Sequence, residues 1–197
     1  MDNEKIKLLL REIALQKDTK AYKELFFSLN EELNRFAYSI LKSKEDAEEV
    51  VTDCFIALWQ KKETLVDIEN PKLYLFVSIK NRSINKLAQR KRQNNSFNEE
   101  YLVHFKSPFF NPGELMLSRE AVGMILEAIN ELPPKCKMIF RIIKEDGLKY
   151  ADVATLLNIS VKTVEAQMAI AVKRISNSHN FKNHFPELHS LLSGKKN

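Results

Sequence analysis

The chain has few of the residues that make tight turns, cross-links or membrane spans. Only four glycines and six prolines occur among 197 residues, which argues against an all-β fold with many turns. Cys54 and Cys136 lie in apolar helical contexts without metal-ligand spacing, so we expect buried, unpaired thiols in a reducing compartment. No apolar run is long enough to span a bilayer, and the N-terminus lacks the continuous hydrophobic segment of a signal peptide. We therefore expect a cytoplasmic protein.

Arrangements typical of catalysis are missing as well. The sequence has no glycine-rich phosphate loop, and its histidines occur only in segments that lack helical periodicity or end the chain: His104, His179, His184 and His189. Five acids between residues 45 and 53 could bind two metal ions in a helix bundle, but such sites use Glu-x-x-His steps and no histidine is near. We predict a protein that is not an enzyme and needs no cofactor, with a metal-dependent nuclease or hydrolase as the enzymatic alternative.

What the sequence does have is helical periodicity. Apolar residues recur at intervals of three and four through nearly the whole chain, which predicts an all-α protein. The periodicity fails and polar residues and prolines collect between 93 and 113, which predicts a linker. Two small helical domains are thus expected at 1–92 and 114–176, with the packed part of the first beginning at Asp18 and a tail at 177–197. The predicted inward residues of the first domain are Leu25, Leu29, Leu33, Phe36, Ile40, Val50, Val51, Cys54, Phe55 and Leu58.

Residues 148–174 have the spacing of a DNA-binding helix-turn-helix. Tyr150 to Leu157 is predicted as the first helix, with Val153, Ala154 and Leu157 on its apolar face. Asn158 occupies the turn, where a left-handed conformation is needed and Asn tolerates it. Ser160 is a good N-cap for the second helix. That helix buries Val164, Met168, Ala171 and Ile175, although a plain αα-hairpin would give part of this pattern.

The outward face of the second helix predicts the DNA contacts. A recognition helix meets base edges near its start, and the candidates there are Ser160, Lys162, Thr163, Glu165, Ala166 and Gln167. Lys173 and Arg174, two turns further on, are predicted to bind phosphates.

A strongly basic segment ends the first domain. Residues 80–92 contain six cations and no acid: Lys80, Arg82, Lys86, Arg90, Lys91 and Arg92. Such a helix repels itself unless an anion is near, so a phosphate backbone is a natural partner, with a solvated surface as the alternative. Ile79, Ile84 and Leu87 are expected to hold this helix to its domain. Asn81 and Asn85 could hydrogen-bond bases, and the aromatic rings of Tyr74 and Phe76 suit stacking with unpaired bases, with a place in the core as the alternative for each ring taken singly.

An acidic surface precedes the basic one. Glu45, Asp46, Glu48, Glu49 and Asp53 are predicted to form a protein-binding face, with Trp59 and Gln60 at its far end. The order of acidic helix, aromatic and basic helix, linker and helix-turn-helix is far more specific than any one motif. Through residues 21–62, 70–92 and 132–175 the chain resembles a sigma factor of the sigma-70 family, in its extracytoplasmic-function group. The segments KLYL (72–75) and SVKTVE (160–165) are similar to the corresponding segments of members common in Bacteroidetes-type bacteria.

This resemblance implies a function and partners. The first domain would be sigma domain 2, binding the β′ clamp of core RNA polymerase through Asp46, Glu49, Asp53, Trp59 and Gln60. Its basic helix would bind and help open the −10 promoter element through Lys72, Tyr74, Lys80, Asn81, Arg82, Asn85, Lys86 and Arg90. The second would be sigma domain 4, reading the −35 element and docking on the β-flap. An anti-sigma factor is a further expected partner, and a stand-alone helix-turn-helix regulator is the alternative function.

Overall fold

Two compact helical units make up the chain. The computed structural model describes residues 1–93 and 119–178, and all regular structure within these ranges is helical, which confirms the predicted all-α class. The units are Met1–Leu102 and Val103–Asn197. The predicted linker, apart from residue 93, and all but the first two residues of the predicted tail lie outside the described residues. No helix within the described ranges is long and apolar enough to cross a membrane.

The described residues of the first unit, 1–93, contain four α-helices and a short 3₁₀ helix. They are α1 (Asn3–Gln16), α2 (Thr19–Leu41), α3 (Lys44–Gln60), the 3₁₀ helix Lys62–Leu65, and α4 (Pro71–Gln93). Side chains of Asp2, Asp18 and Ser43 cap α1, α2 and α3 by accepting hydrogen bonds from backbone N–H groups of the first turn. These caps satisfy donors that would otherwise have no partner inside the helix.

The core of this unit lies between α2, α3 and α4. All of the predicted inward residues are buried except Ile40, which is only half-buried. Phe36 of α2 packs against Phe76 of α4 with ring centroids 5.0 Å apart. The period of 3.6 residues therefore predicted the core-facing stripes of α2 and α3 correctly.

The helix α1 is a correction to the sequence analysis, which placed the start of the packed unit at Asp18. Its apolar residues Ile6, Leu9, Leu10 and Ile13 are buried, and the helix packs against α2, α4 and the 3₁₀ helix. The charged residues of α1 follow helical spacing and leave one face of the helix apolar.

Lys72 is a second correction, because it is buried instead of available to DNA. Its Nζ lies 3.2 Å from Oε2 of Glu32 and donates a hydrogen bond to the backbone carbonyl of Met1 at 3.1 Å. Burial raises the pKa of the Glu32 carboxyl despite the attraction of Lys72. This buried ion pair and the hydrogen bond to Met1 tie the start of α4 to α2 and to the residue before α1, and removing one partner leaves an uncompensated buried charge.

Lys72→Met is expected to lower the free energy of unfolding of the first unit by about 3 kcal/mol, since it leaves a buried carboxylate unpaired. Urea unfolding followed by fluorescence of Trp59, the single tryptophan, measures this. The double variant Lys72→Met/Glu32→Leu should recover most of the loss, because no buried charge is left. Equal stability of Lys72→Met and the unaltered chain would contradict the buried pairing.

The second unit contains α5 (Arg119–Asn130), α6 (Pro134–Lys144), α7 (Tyr150–Leu157) and α8 (Val161–Asn177). Residues of α5, α6, α8 and the turn after α5 form one core cluster: Ala128, Ile129, Leu132, Cys136, Ala171 and Ile175. After α6 the chain turns at Gly147, whose φ of 71° is left-handed and therefore favours glycine.

The helix-turn-helix is confirmed as a fold. Asn158 has φ 54° and ψ 50° at the end of α7, and the hydroxyl of Ser160 accepts a hydrogen bond from the backbone N–H of Thr163 at 3.0 Å. The predicted inward residues of α8 are all buried. In α7 the prediction is wrong by one position, because Leu156 is buried while Leu157 is half-buried.

Candidate nucleic-acid interface

The exposed stripe of α4 is mostly neutral. Its exposed side chains before residue 91 are Tyr74, Asn81, Ile84, Asn85, Ala88 and Gln89. The ring of Tyr74 is 40% exposed and Ile84 is 50% exposed. Amide, aromatic and aliphatic groups suit hydrogen bonds and stacking with bases better than contacts with phosphates.

The structure decides the positions of two side chains of α4, taking the core alternative for Phe76 and correcting the inward assignment of Ile84. Phe76 is fully buried against Phe36, so its ring cannot stack on a base. Ile84 does not hold the helix to the core, because Ser83 takes the inward position. Only the three-dimensional packing reveals Ile84 as a candidate contact between Asn81 and Asn85.

The cations of α4 form a separate stripe. Arg82, Lys86 and Arg90 recur every four residues and thus share one side of the helix. Lys86 Nζ lies 2.5 Å from Oε1 of Glu49 and 3.9 Å from Oδ1 of Asp46, and Arg90 pairs with the same Asp46 carboxylate. The segment 80–92 contains no acid of its own, and α3 supplies two carboxylates to it. Lys91 and Arg92 have no described side chains.

These contacts also change the assignment of Asp46. Its side chain is only 12% exposed and faces α4, so the structure does not present it to an outside protein. The outward face of α3 consists instead of Glu49, Thr52, Asp53, Ile56 and Gln60, all exposed. Ile56, 48% exposed, was not named by the sequence analysis, which assigned it neither to the core nor to the acidic face.

Trp59 lies at the end of this face and is half-buried. Its ring packs edge-on against Tyr22 at 5.0 Å, and Lys62 Nζ lies 5.0 Å from its centroid. These contacts fix the orientation of the indole, leaving part of it accessible beside Gln60.

Neither thiol suits nucleophilic chemistry. Burial raises the pKa of the Cys54 thiol to about 11 and raises that of Cys136 as well, so both are protonated at neutral pH. Within the described ranges, no three His, Cys, Asp or Glu side chains are grouped so that they could hold a metal ion.

The outward side of α8 forms the second candidate surface. Lys162, Glu165, Ala166, Lys173 and Arg174 are exposed as predicted. Sequence analysis missed Ala169 and Ile170, which are exposed between them. An open groove of about 830 Å³ runs along this side and is lined by Tyr150, Glu165, Met168, Ala169, Val172, Lys173, Ser176 and Asn177.

Three of the predicted readers in α8 are partly engaged within the protein. The hydroxyls of Ser160 and Thr163 share a hydrogen bond of 2.8 Å, so both contribute to the helix start. Gln167 is half-buried, and its backbone carbonyl accepts a hydrogen bond from Cys136 Sγ at 3.2 Å. It is therefore a less accessible candidate reader than its exposed neighbours.

Two family models match the two units. The description Sigma-70 region 2 matches residues 27–93, and the description Sigma-70, region 4 matches residues 123–175. Together these matches span more than half of the chain. The chain belongs to the sigma-70 family. Both candidate DNA surfaces of this sigma-70 protein, on α4 and on α8, fall within the matched segments, whereas α1 precedes them.

Curated relatives match part of the chain. The ECF RNA polymerase sigma-E factors of Salmonella typhimurium and Escherichia coli strain K12 are each 33% identical over 67 residues, or 34% of this chain. The matched region spans only 35% of the length of those relatives.

Solved structures match the fold over a larger part of this chain. CnrH in complex with the cytosolic domain of CnrY covers 87% of this chain at 17% identity with a TM-score of 0.53. The sigma factor RpoE in complex with the anti-sigma factor NepR from Bartonella quintana covers 80% at 20% identity with a TM-score of 0.52. The matches cover 95% and 96% of those two chains.

The pairing between α3 and α4 predicts how DNA affinity responds to one lost carboxylate. Asp46→Asn should increase the affinity of the chain for duplex DNA and steepen its salt dependence by about one unit, because Arg90 becomes available to phosphates while Lys86 stays paired with Glu49. Fluorescence anisotropy of a labelled duplex across a salt series measures both. Glu48→Gln is the matched control, since it removes one negative charge from the same helix but from a side chain that pairs with Lys44. If the two variants change DNA affinity equally, the change is explained by net charge and not by the release of Arg90 from Asp46.

Proposed function

We propose that this chain is a transcription initiation factor of the extracytoplasmic-function group, which binds core RNA polymerase and directs it to promoters. The observation that carries the proposal is the presence of region 2 and region 4 in one chain, each with an exposed candidate DNA surface. A stand-alone helix-turn-helix regulator would account for the second unit but not for the region 2 match. In this proposal the protein acts in the cytoplasm, without catalysis of its own, in a bacterium of the Bacteroidetes type.

At the −10 element, one stripe of α4 contacts bases and another contacts phosphates. Tyr74, Asn81 and Asn85 contact bases, with Ile84 between them, while Lys80, Arg82, Lys86 and Arg90 hold phosphates. Opening DNA costs roughly 1.4 kcal/mol per stacked step, and stacking an unpaired base on an aromatic ring returns about 1–3 kcal/mol. One exposed ring cannot offset several steps, so opening requires the polymerase as well.

The polymerase partner binds the outward face of α3. Glu49, Asp53 and Gln60 provide acidic and amide groups, and Ile56 together with the accessible part of Trp59 provides apolar area. A face that combines a small apolar centre with polar groups around it is typical of a protein interface. The β′ clamp is the proposed partner for this face, and the β-flap for the second unit.

A second protein partner is an anti-sigma factor. The two similar structures support this proposal, since the RpoE title names an anti-sigma partner and the CnrH title a cytosolic domain of CnrY. Such a factor would act by covering surfaces that polymerase needs.

At the −35 element, α8 enters the major groove. Lys162, Glu165 and Ala166 lie near its start, where base edges are reached, whereas Lys173 and Arg174 lie two turns later, where the helix meets phosphates. Gln167 and the capping hydroxyls of Ser160 and Thr163 are secondary contacts in this arrangement.

The proposal predicts promoter-dependent transcription by core polymerase when the chain is added. Tyr74→Ala should reduce open-complex formation about tenfold, because the stacking platform for an unpaired base is lost. Fluorescence of a 2-aminopurine base in the −10 element measures opening. Phe27→Ala is the control, since Phe27 is an exposed aromatic residue of the same unit. Initiation no better than core alone would refute the function, and tight duplex binding without polymerase would favour the stand-alone regulator.

Substitution of two exposed residues on one side of α8 should distinguish contacts with bases from contacts with phosphates. Glu165→Ala is expected to relax preference at one promoter position, a change worth about 1–3 kcal/mol. Lys173→Ala should weaken every promoter similarly and reduce the salt slope by about one. Both are measured by holoenzyme binding to a promoter set with single −35 substitutions. A uniform loss for Glu165→Ala across the set would contradict its role as a reader.

A further inference from the structure

The first backbone N–H groups of α4 find their hydrogen-bond acceptors partly in another helix, α1. A helix begins with backbone N–H groups that have no partner inside it. In α4 the first residue is Pro71, which has no N–H group. The N–H of Leu73 donates to the side-chain oxygen of Asn70 at 3.2 Å, and the N–H of Tyr74 donates to the backbone carbonyl of Asn70 at 3.0 Å.

The remaining N–H group, that of Lys72, is satisfied from another helix. It donates to Oδ1 of Asn3 in α1 at 3.0 Å, and Nδ2 of Asn3 donates to Oδ1 of Asn70 at 2.9 Å. Asn3 therefore completes the cap of α4 and fixes the capping side chain of Asn70 at the same time. These two contacts join positions 69 and 67 residues apart.

The side chain of Lys72 reinforces the same junction. It is buried between Glu32 of α2 and the Met1 carbonyl just before α1. Through its backbone N–H and its side chain, Lys72 thus links the first turn of α4 to α1 and α2. Tyr74, the exposed ring, follows two positions later at the end of that turn.

We propose that Asn3 is a positioning residue for promoter opening, which fixes the first turn of α4 so that Tyr74 is held ready for an unpaired base. The inference rests on the proposed function and extends it to α1, which precedes the segment matched by region 2. Without the Asn3 acceptor, the first turn of α4 frays, and the ring of Tyr74 samples orientations that do not stack.

The experiment uses holoenzyme assembled from core polymerase and the full chain. Asn3→Ala removes the acceptor while replacing the first residue of α1 with the best helix former. Affinity for a single-stranded −10 oligonucleotide should fall about fivefold, the change that corresponds to the ~1 kcal/mol typical of a lost helix cap. Affinity of the chain for core polymerase should not change. Asn3→Asp keeps the acceptor for the Lys72 N–H but loses the donor to Asn70, so it should restore part of the oligonucleotide affinity.

Two comparisons separate positioning from stability. Asp18→Ala is the matched control, because it removes a cap of the same kind from α2, where the Asp18 side chain accepts from Lys20 N–H at 2.7 Å, and leaves both Asn3 and the start of α4 in place. In a Tyr74→Ala background, Asn3→Ala should cause no further loss, since the ring that it positions is already gone.

Each outcome decides the proposal. Wild-type affinity for Asn3→Ala, an equal loss for Asp18→Ala, or an undiminished loss in the Tyr74→Ala background would overturn the role of Asn3 while leaving the sigma-factor function standing. If holoenzyme with the unaltered chain neither initiates at a promoter nor binds the −10 oligonucleotide better than core alone, the proposed function has failed and the role of Asn3 fails with it.

Discussion

The pairing of cations on α4 with carboxylates on α3 is the interaction on which the candidate −10 surface depends. A helix with positive charge on this scale repels itself, and it also has to bury one side against the core. Asp46, nearly buried, and Glu49, half exposed, supply negative charge where Lys86 and Arg90 come closest to α3. The basic helix can therefore pack without DNA, and its neutral stripe is left facing solvent.

This arrangement links the two proposed binding events of the first unit. Glu49 belongs both to the outward face of α3 and to the pair with Lys86. A protein that binds Glu49 weakens its hold on Lys86, and a phosphate that binds Lys86 releases Glu49. Linkage requires that each event favour the other by the same factor. Under the proposed function, partial neutralisation of the α4 cations lowers the affinity of the isolated chain for DNA and makes DNA affinity respond to the polymerase.

Local sequence rules predicted much of the fold and part of the site. The spacing of Val164, Met168 and Ala171, the cap at Ser160 and the left-handed turn at Asn158 all depend on a few neighbouring residues, and all were predicted. Ile84 and Lys72 were assigned to the wrong sides of α4, because the side that a helix buries depends on its partners. A run of mixed apolar and charged residues does not show which stripe meets another helix until that helix is in place.

The same reasoning explains why counting charges misjudged the DNA surface. Lys72 looked like one more cation near an aromatic residue, yet its backbone and side chain serve the junction of three helices. Asp46 looked like part of an acidic surface, yet it neutralises two cations. Tyr74 and Asn81 carry no charge, and they occupy the exposed positions. Under the proposed function, the residues of α4 that face DNA bases are those that the core and the neighbouring acids leave unused, and charge alone does not identify them.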